Sequence, residues 1–244
     1  MSYALYDLGG LRFWSPEEVS LRNKIKAQLV ETVSSTLLDL NQMWRVIEVE
    51  APLMMPVSRM SAAYEASDVF MLQDAPGGTE QWAMRAETTD GTYLMAQHLL
   101  RSTSMKPPLC VYQSGKSYRR ETSDGATAAK LRFNEFHQLE FQCIFGESTT
   151  APIAETLRKA LLPVVSRLTG REARMVESDR LPSYSTETID IEVLTDNGDW
   201  REIASTSRRT DFPPVADLKF RCLCFEVAFG LDRLVALSLP EDSK

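Results

Sequence analysis

No stretch of this chain approaches the roughly 18 uninterrupted apolar residues that a membrane-spanning helix requires. The N-terminus, Met1 to Gly10, has neither a basic flank nor a cleavable apolar run. Together these absences exclude a helical membrane protein and make a cytoplasmic one the expectation. Cysteine is scarce and unpatterned: Cys110, Cys143, Cys222 and Cys224 contain no C-x-x-C, and each lies in an apolar run. That favours reduced, buried thiols over a metal site or a disulfide. An excess of positive charge is also missing. Twenty-seven basic against thirty-four acidic side chains give a net charge of −7, so the molecule repels polyanions unless its basic residues cluster. Repeats, low-complexity tracts and linkers are absent too, and the 244 residues read as a single domain, 1–244.

What is present is an ordinary globular composition, 43% apolar and 25% charged, which rules out intrinsic disorder. Ser15-Pro16-Glu17-Glu18 is a helix start, with Ser15 as N-cap, Pro16 at the first helical position and Glu18 completing a capping box. Leu21, Ile25, Leu29, Val33, Leu37, Leu40 and Trp44 then recur at helical spacing up to a predicted strand, Arg45 to Ala51, that meets Pro52. The stripe suits packing on a sheet of the same chain or on a second copy. Further helices are predicted over Asp90 to Leu100 and Ala151 to Leu168, the latter bent at Pro163 and stopped by Gly170.

Most of the remainder reads as strand. From Phe133 to Phe145, Leu139, Phe141, Cys143 and Phe145 alternate with Phe136, Gln138, Glu140 and Gln142. Cys222 to Phe229 sets Leu223, Phe225, Val227 and Phe229 against Cys222, Cys224, Glu226 and Ala228 in the same way. Each strand thus has one core face and one face bearing an acid. Short turns such as Asp196-Asn197-Gly198-Asp199 argue for neighbouring antiparallel strands, so the class is α+β, an antiparallel sheet flanked by helices.

Charge gathers in Arg85 to Thr88, Tyr118 to Glu121, Glu202 to Arg209, and Glu226 to Arg233. In a strand, Arg119 and Glu121 share a face, and a common pocket lined by arginines and carboxylates competes with a set of structural ion pairs. Met84-Arg85-Ala86-Glu87-Thr88-Thr89-Asp90-Gly91 is similar to R-P-E-T-A-Q-G of the glycyl branch of the class II aminoacyl-tRNA synthetases. Gly115 to Glu121 resembles that family's motif 2, G-K-x-F-R-N-E, and Arg132 to Glu140 resembles R-V-R-E-F-x-Q-M-E. Arg209-Thr210-Asp211-Phe212 repeats R-T-D-F, and Phe225 to Arg233 resembles the motif 3 segment I-E-P-S-x-G-V-D-R. Pro52 fits motif 1, the family's dimer-interface element. The resemblance runs from about Ser15 to Leu239.

The resemblance implies a catalytic domain that activates a small amino acid, glycine first and alanine second, with ATP and Mg²⁺, then transfers it to tRNA or a substitute acceptor. Activation brings a carboxylate onto the α-phosphate, so charge must be neutralised as pyrophosphate leaves. By the match, Arg119 binds the α-phosphate and the substrate carboxylate, Arg132 reaches the terminal phosphates, Phe136 stacks on adenine, and Glu121 orients the adenine end. Arg233 would hold the γ-phosphate and cover the other ring face with a planar, permanently charged fork. Glu202 and Ser205 form an E-x-x-S for the metal; three apart, they straddle strand faces, so the strand must end or bulge after Glu202 for both to serve. Glu87, Glu140 and Glu226 correspond to the glutamates around the ammonium, and Arg209 to the arginine near the carboxylate.

Several positions depart from the family pattern. Ala228 replaces its serine, Val227 its proline, Asn134 the second arginine of R-V-R-E-F, and Ala86 the proline of R-P-E. The chain ends at Lys244, soon after the motif 3 segment, so the expectation is a domain without the anticodon-binding partner. The resemblance further implies a homodimer through the Ser15 to Gln42 helix and the strand ending at Pro52. The alternative is a non-catalytic accessory or binding subunit of the same fold, as in a DNA polymerase accessory protein. Retention of Arg119, Glu121, Arg132, Phe136, Glu202 and Arg233 together weighs against it. A carrier-protein ligase would differ by acceptor rather than by ATP site.

Overall fold

The computed structural model describes residues 11–60, 64–73, 78–102, 105–121, 126, 130–179, 181–216 and 218–238. Met1 to Gly10, on which the targeting reading rests, and Leu239 lie outside the described residues. The first helix, α1, spans Pro16–Leu40, and Ser15 and Glu18 close the capping box at its start. β1 is Arg45–Glu48, β2 Met54–Pro56, β3 Met71–Leu72 and β4 Trp82–Met84. Next come α2 (Thr89–Ser102), β5 (Leu109–Tyr118), β6 (Glu135–Gly146) and α3 (Ile153–Thr169). β7 (Ala173–Glu177), β8 (Ser185–Leu194), β9 (Trp200–Arg209), β10 (Cys222–Gly230) and α4 (Leu231–Ser238) complete the order.

Seven strands form one sheet, in the order β1-β5-β6-β10-β9-β8-β7, and β2-β4-β3 form a second, small one that the sequence reading did not anticipate. Every pairing in the large sheet is antiparallel except β1 with β5, which is parallel. The hairpin at Asp196 to Asp199 joins β8 to β9 as expected, with Gly198 taking the left-handed backbone at φ 81°.

The alternation in β6 and β10 is met. Leu139, Phe141, Cys143 and Phe145 join Phe225, Val227 and Phe229 in the principal core under α1, α3 and α4. On the other face, α2 covers a smaller core with Tyr93, Ala96 and Leu100 against Leu109, Val111 and Cys224. Gly91 lets α2 lie against the segment after β1, because a Cβ there would collide with the Cβ of Ala51. Gly115 likewise leaves room for Arg85.

Of the two partners left open for the α1 stripe the structure takes one, and two expectations are corrected. The α1 stripe is spent inside the chain: Ile25, Leu29, Val33 and Leu37 are fully buried in the principal core, leaving none of them for a partner. β1 ends at Glu48 rather than Ala51, and beyond it only Val49 continues the pairing, donating to Tyr112 O at 2.9 Å. The segment instead turns its carbonyls to a side chain, Arg85 Nη1 donating to Ala51 O at 2.8 Å. β5 stops at Tyr118, so Arg119 and Glu121 do not share a strand face. The helix α3 passes through Pro163 and ends on Gly170, which is left-handed at φ 66°. All four cysteines are free, and Cys222 is only partly buried.

Candidate active site

The polar face of the large sheet forms the floor of a cavity of about 560 Å³. Strand register builds that floor in rows. Gln113, Glu140, Ala228, Ser205 and Asp190 are successive cross-strand partners over β5, β6, β10, β9 and β8. The adjacent row runs Gln142, Glu226, Ser207 and Thr188. Residues far apart in sequence therefore share one surface because the side-chain period of every strand is two.

Glu87, Arg119, Glu121, Arg132, Phe136, Glu140, Glu202, Ser205, Glu226, Ala228 and Arg233 all line this cavity. Arg209 does not. It lies behind the wall, its Nη1 donating to Glu226 at 2.7 Å and its Nε and Nη2 to the two oxygens of Asp211 at 2.9 and 2.6 Å. Tyr184 covers its face, with the guanidinium carbon 3.8 Å from the ring centre. The donors that the family match assigns to a substrate carboxylate are thus engaged by acids of this chain.

Three carboxylates meet at the floor. Glu140 accepts hydrogen bonds from Thr88 and, at 3.0 Å, from Gln138 Nε2. Thr89 Oγ1 lies 3.1 Å from both Glu140 Oε2 and Glu226 Oε2. Glu87 accepts from the hydroxyl of Tyr64 at 2.8 Å through Oε2, while its Oε1 is buried without a hydrogen-bond partner among the described residues. Burial, reinforced by repulsion from Glu226 and Glu87, pushes the Glu140 carboxyl up to about 8. Burial also raises Glu87, against the pull of Arg209. A cation brought beside Glu140 and Glu87 would favour their ionised forms.

The arginines are preorganised. Arg119 donates Nε–H to Ala86 O at 3.1 Å and lies over the rings of Tyr64 and Phe136. Burial opposes its charge, but Tyr64, Glu87 and Glu140 more than restore it and raise its pKa. Arg132 approaches Glu121 at 3.8 Å. Arg233 donates to the carbonyls of Leu131 and Glu202 at 3.1 and 2.9 Å, with the Glu202 carboxylate 3.6 Å away.

The bulge required after Glu202 is present. Ile191 pairs with Ala204 but Glu192 pairs with Glu202, so Ile203 is the extra residue on β9 and the chain shifts face between Glu202 and Ser205. Asp190 is the cross-strand partner of Ser205; burial raises its pKa, and repulsion from Glu202 adds to the rise against the opposing pull of Ser178 and Ser205.

A family model described as tRNA synthetase class II core domain (G, H, P, S and T) matches residues 70–241. The chain belongs to this family. Among curated relatives of this class II core, the glycine–tRNA ligase of Lysinibacillus sphaericus (strain C3-41) is 28% identical over 174 residues, covering 64% of this chain and 38% of that protein. The ligase of the same description from Bacillus anthracis is 29% identical over 174 residues, with the same coverage. The chain therefore spans less than two fifths of these relatives' length. Two solved structures share the synthetase fold at a TM-score of 0.74: the prolyl-tRNA synthetase of Cryptosporidium parvum complexed with halofuginone and AMPPNP, 13% identical, and that of Giardia lamblia in complex with prolyl-adenylate, 16% identical. They cover 95% and 96% of this chain, and the matched part is 49% of each of theirs.

The sequence reading missed several lining residues of this synthetase domain. Tyr64 and Tyr184 come from irregular segments without a periodic signal, and both line the cavity. Asp190 and Thr188 were visible in principle, since they alternate with Ile189 and Ile191 as a polar face. Asp232 is buried, accepts from the His137 backbone N–H and keeps Oδ1 unpartnered among the described residues. Arg22 Nη1 lies 2.8 Å from His137 Nε2 and so joins α1 to this corner.

Proposed function

We propose that this domain condenses a small amino acid, glycine foremost, with ATP to give an aminoacyl-adenylate and pyrophosphate. The observation that carries the reading is the grouping of Glu87, Glu140 and Glu226 in the same cavity as Arg119, Arg132 and Arg233. A cavity that holds this trio of acids together with these arginines suits a substrate that is cationic at one end and meets phosphates at the other. The resemblance to glycine–tRNA ligases supports glycine over proline, and Ala228, where the quoted pattern has serine, leaves space for alanine.

In this reading the ammonium group lies among the three glutamates, and the substrate carboxylate approaches the α-phosphorus. Arg119 faces both anions and neutralises the charge that builds as the new P–O bond forms and the bond to pyrophosphate breaks. Arg132 and Arg233 take the terminal phosphates. Phe136 and Arg233 hold the adenine between them, and Glu121 orients it. Arg209 acts by fixing Glu226. Glu202, Asp190 and Ser205 offer hard oxygen donors that fit Mg²⁺, and the repulsion between the two acids is what a cation relieves. Bound there, the ion would supply charge neutralisation on phosphate oxygens.

Transfer to tRNA or a substitute acceptor completes the proposal. So does a homodimer: the apolar stripe of α1 is used internally, but β1 is an edge strand, and Leu38, Met43, Leu53 and Met54 are exposed large apolar residues near it in sequence. Light scattering at micromolar concentration should give twice the chain mass, and a strictly monomeric mass rejects the dimer. A cytoplasmic location fits the free thiols, and no helix among the described residues is long and apolar enough to cross a membrane.

The decisive assay is exchange of labelled pyrophosphate into ATP across all twenty amino acids. Glycine, with weaker exchange for alanine, is the expected result. No exchange with any amino acid rejects activation and favours an accessory role.

A further inference from the structure

Thr89, the first residue of α2, is fully enclosed and is not among the residues that line the cavity. Its Oγ1 nevertheless stands between two of the three acids, 3.1 Å from Glu140 Oε2 and 3.1 Å from Glu226 Oε2. A hydroxyl carries one proton to donate and two lone pairs to accept with. It can serve one of these oxygens as donor, and the other contact needs a proton that comes from the carboxyl itself.

The surroundings say which carboxyl holds that proton. Glu226 receives Arg209 Nη1 at 2.7 Å and Gln142 Nε2 at 2.7 Å through the same Oε2, so it is the charged member. Glu140 receives only neutral donors, Thr88 and Gln138. The consistent chain of donation runs from Thr88 to Glu140 Oε2, from the Glu140 carboxyl proton to Thr89, and from Thr89 to Glu226. Gln142 Nε2, 3.4 Å from Thr89 Oγ1, completes its acceptor side.

We propose that Thr89 is a positioning residue of the amino-acid site: its hydroxyl bridges Glu140 and Glu226 and couples them through one shared proton, which leaves when a substrate ammonium binds. The inference rests on the reading of this cavity as the site of a small amino acid. Other ionisable groups facing the bridge do not take its place. Arg85, Arg119 and Arg209 stay charged, and burial pushes the phenols of Tyr64 and Tyr184 upward. Glu87 already accepts from Tyr64 and is not within hydrogen-bond reach of Thr89.

Pyrophosphate exchange with glycine and ATP as the varied substrates tests this in the wild type, Thr89→Val and Thr89→Ser. With one proton released per glycine bound, wild-type KM for glycine falls about tenfold per pH unit below the Glu140 ionisation, and KM for ATP does not follow it. Thr89→Val, equal in volume, raises KM for glycine about tenfold and leaves KM for ATP within about twofold. It also moves the pH at which the glycine KM levels off downward, because the protonated pair loses both bonds of the bridge and the ionised pair only the one that the hydroxyl still donates. Thr89→Ser returns the hydroxyl and restores both values.

A glycine KM and pH profile in folded Thr89→Val equal to those of the wild type overturns the bridge, and so does an equal rise in both KM values. If Thr89→Val fails to fold, the wild type decides: glycine binding that releases no proton near neutral pH overturns the proposal. If no amino acid supports exchange, the reading of the site has failed, and the bridge is judged on the free protein. There the pH at which thermal stability stops falling must shift downward from wild type to Thr89→Val, and an unchanged pH rejects it.

Discussion

Arg209 at the end of β9 donates through Nη1 to Glu226 Oε2 of β10 across 2.7 Å, and both side chains are buried. Removing one member of a buried pair strands the other, at a typical cost of about 3–5 kcal/mol. Arg209→Ala should therefore destabilise the domain by about that amount in denaturant unfolding. A loss under about 1 kcal/mol would show that the pair is not a structural anchor.

Glu140 carries a pH signature. An ordinary glutamate titrates near 4.5, whereas burial and the neighbouring acids hold Glu140 at about 8. Between those values the folded protein keeps a proton that the unfolded chain has released, so this residue's contribution to stability is greatest at the acid end and is lost as pH rises to about 8. Glu140→Gln removes that dependence. The fall in Tm from about pH 6 to about pH 8.5 should be smaller in the variant than in the wild type; equal falls contradict the assignment.

Arg119 has protein partners as well as proposed phosphate ones, which alters the expectation for its removal. Loss of one transition-state charge contact costs about 2.7–4 kcal/mol, or about 10²–10³ in exchange rate. Because Arg119 also holds Ala86 O and lies over Tyr64 and Phe136, Arg119→Ala should lose about 1–2 kcal/mol of stability in addition. Full exchange activity in the folded variant would remove Arg119 from the phosphate site.

Ala228 faces Glu140 across β10 and β6. Restoring a hydroxyl there should crowd a methyl group more than a hydrogen, and one methyl is worth about 1–3 kcal/mol of discrimination. Ala228→Ser should raise the ratio of kcat/KM for glycine over alanine. An unchanged ratio places the α-carbon elsewhere.

Gly91 tests the packing of α2. A Cβ there meets Ala51 Cβ, and overpacking of this kind costs about 1–3 kcal/mol. Gly91→Ala should lower Tm, and Gly91→Ala with Ala51→Gly should recover much of the loss. Full stability in the single variant would show that α2 has room to shift.

The sequence by itself determined the local structure and the cast of the site. The capping box at Ser15, the stripe of α1 and the alternation in β6 and β10 are short-range patterns, set by helical and strand periods that any neighbour must accommodate. The same patterns placed Glu140 and Glu226 on polar faces, and the ordered motifs supplied Arg119, Arg132 and Arg233. Only the tertiary structure decided what each residue touches. The stripe of α1 could serve its own chain or another copy, and its burial under α3 and α4 depends on where the chain returns. Arg209 belongs to Glu226, Asp211 and Tyr184 because β9 and β10 pair in one register. The bulge at Ile203 is a mismatch between two strands and is invisible in either alone. Tyr64, Tyr184 and the Thr89 bridge arise where irregular segments and a helix start meet the sheet, and contacts of that kind leave no period in a sequence.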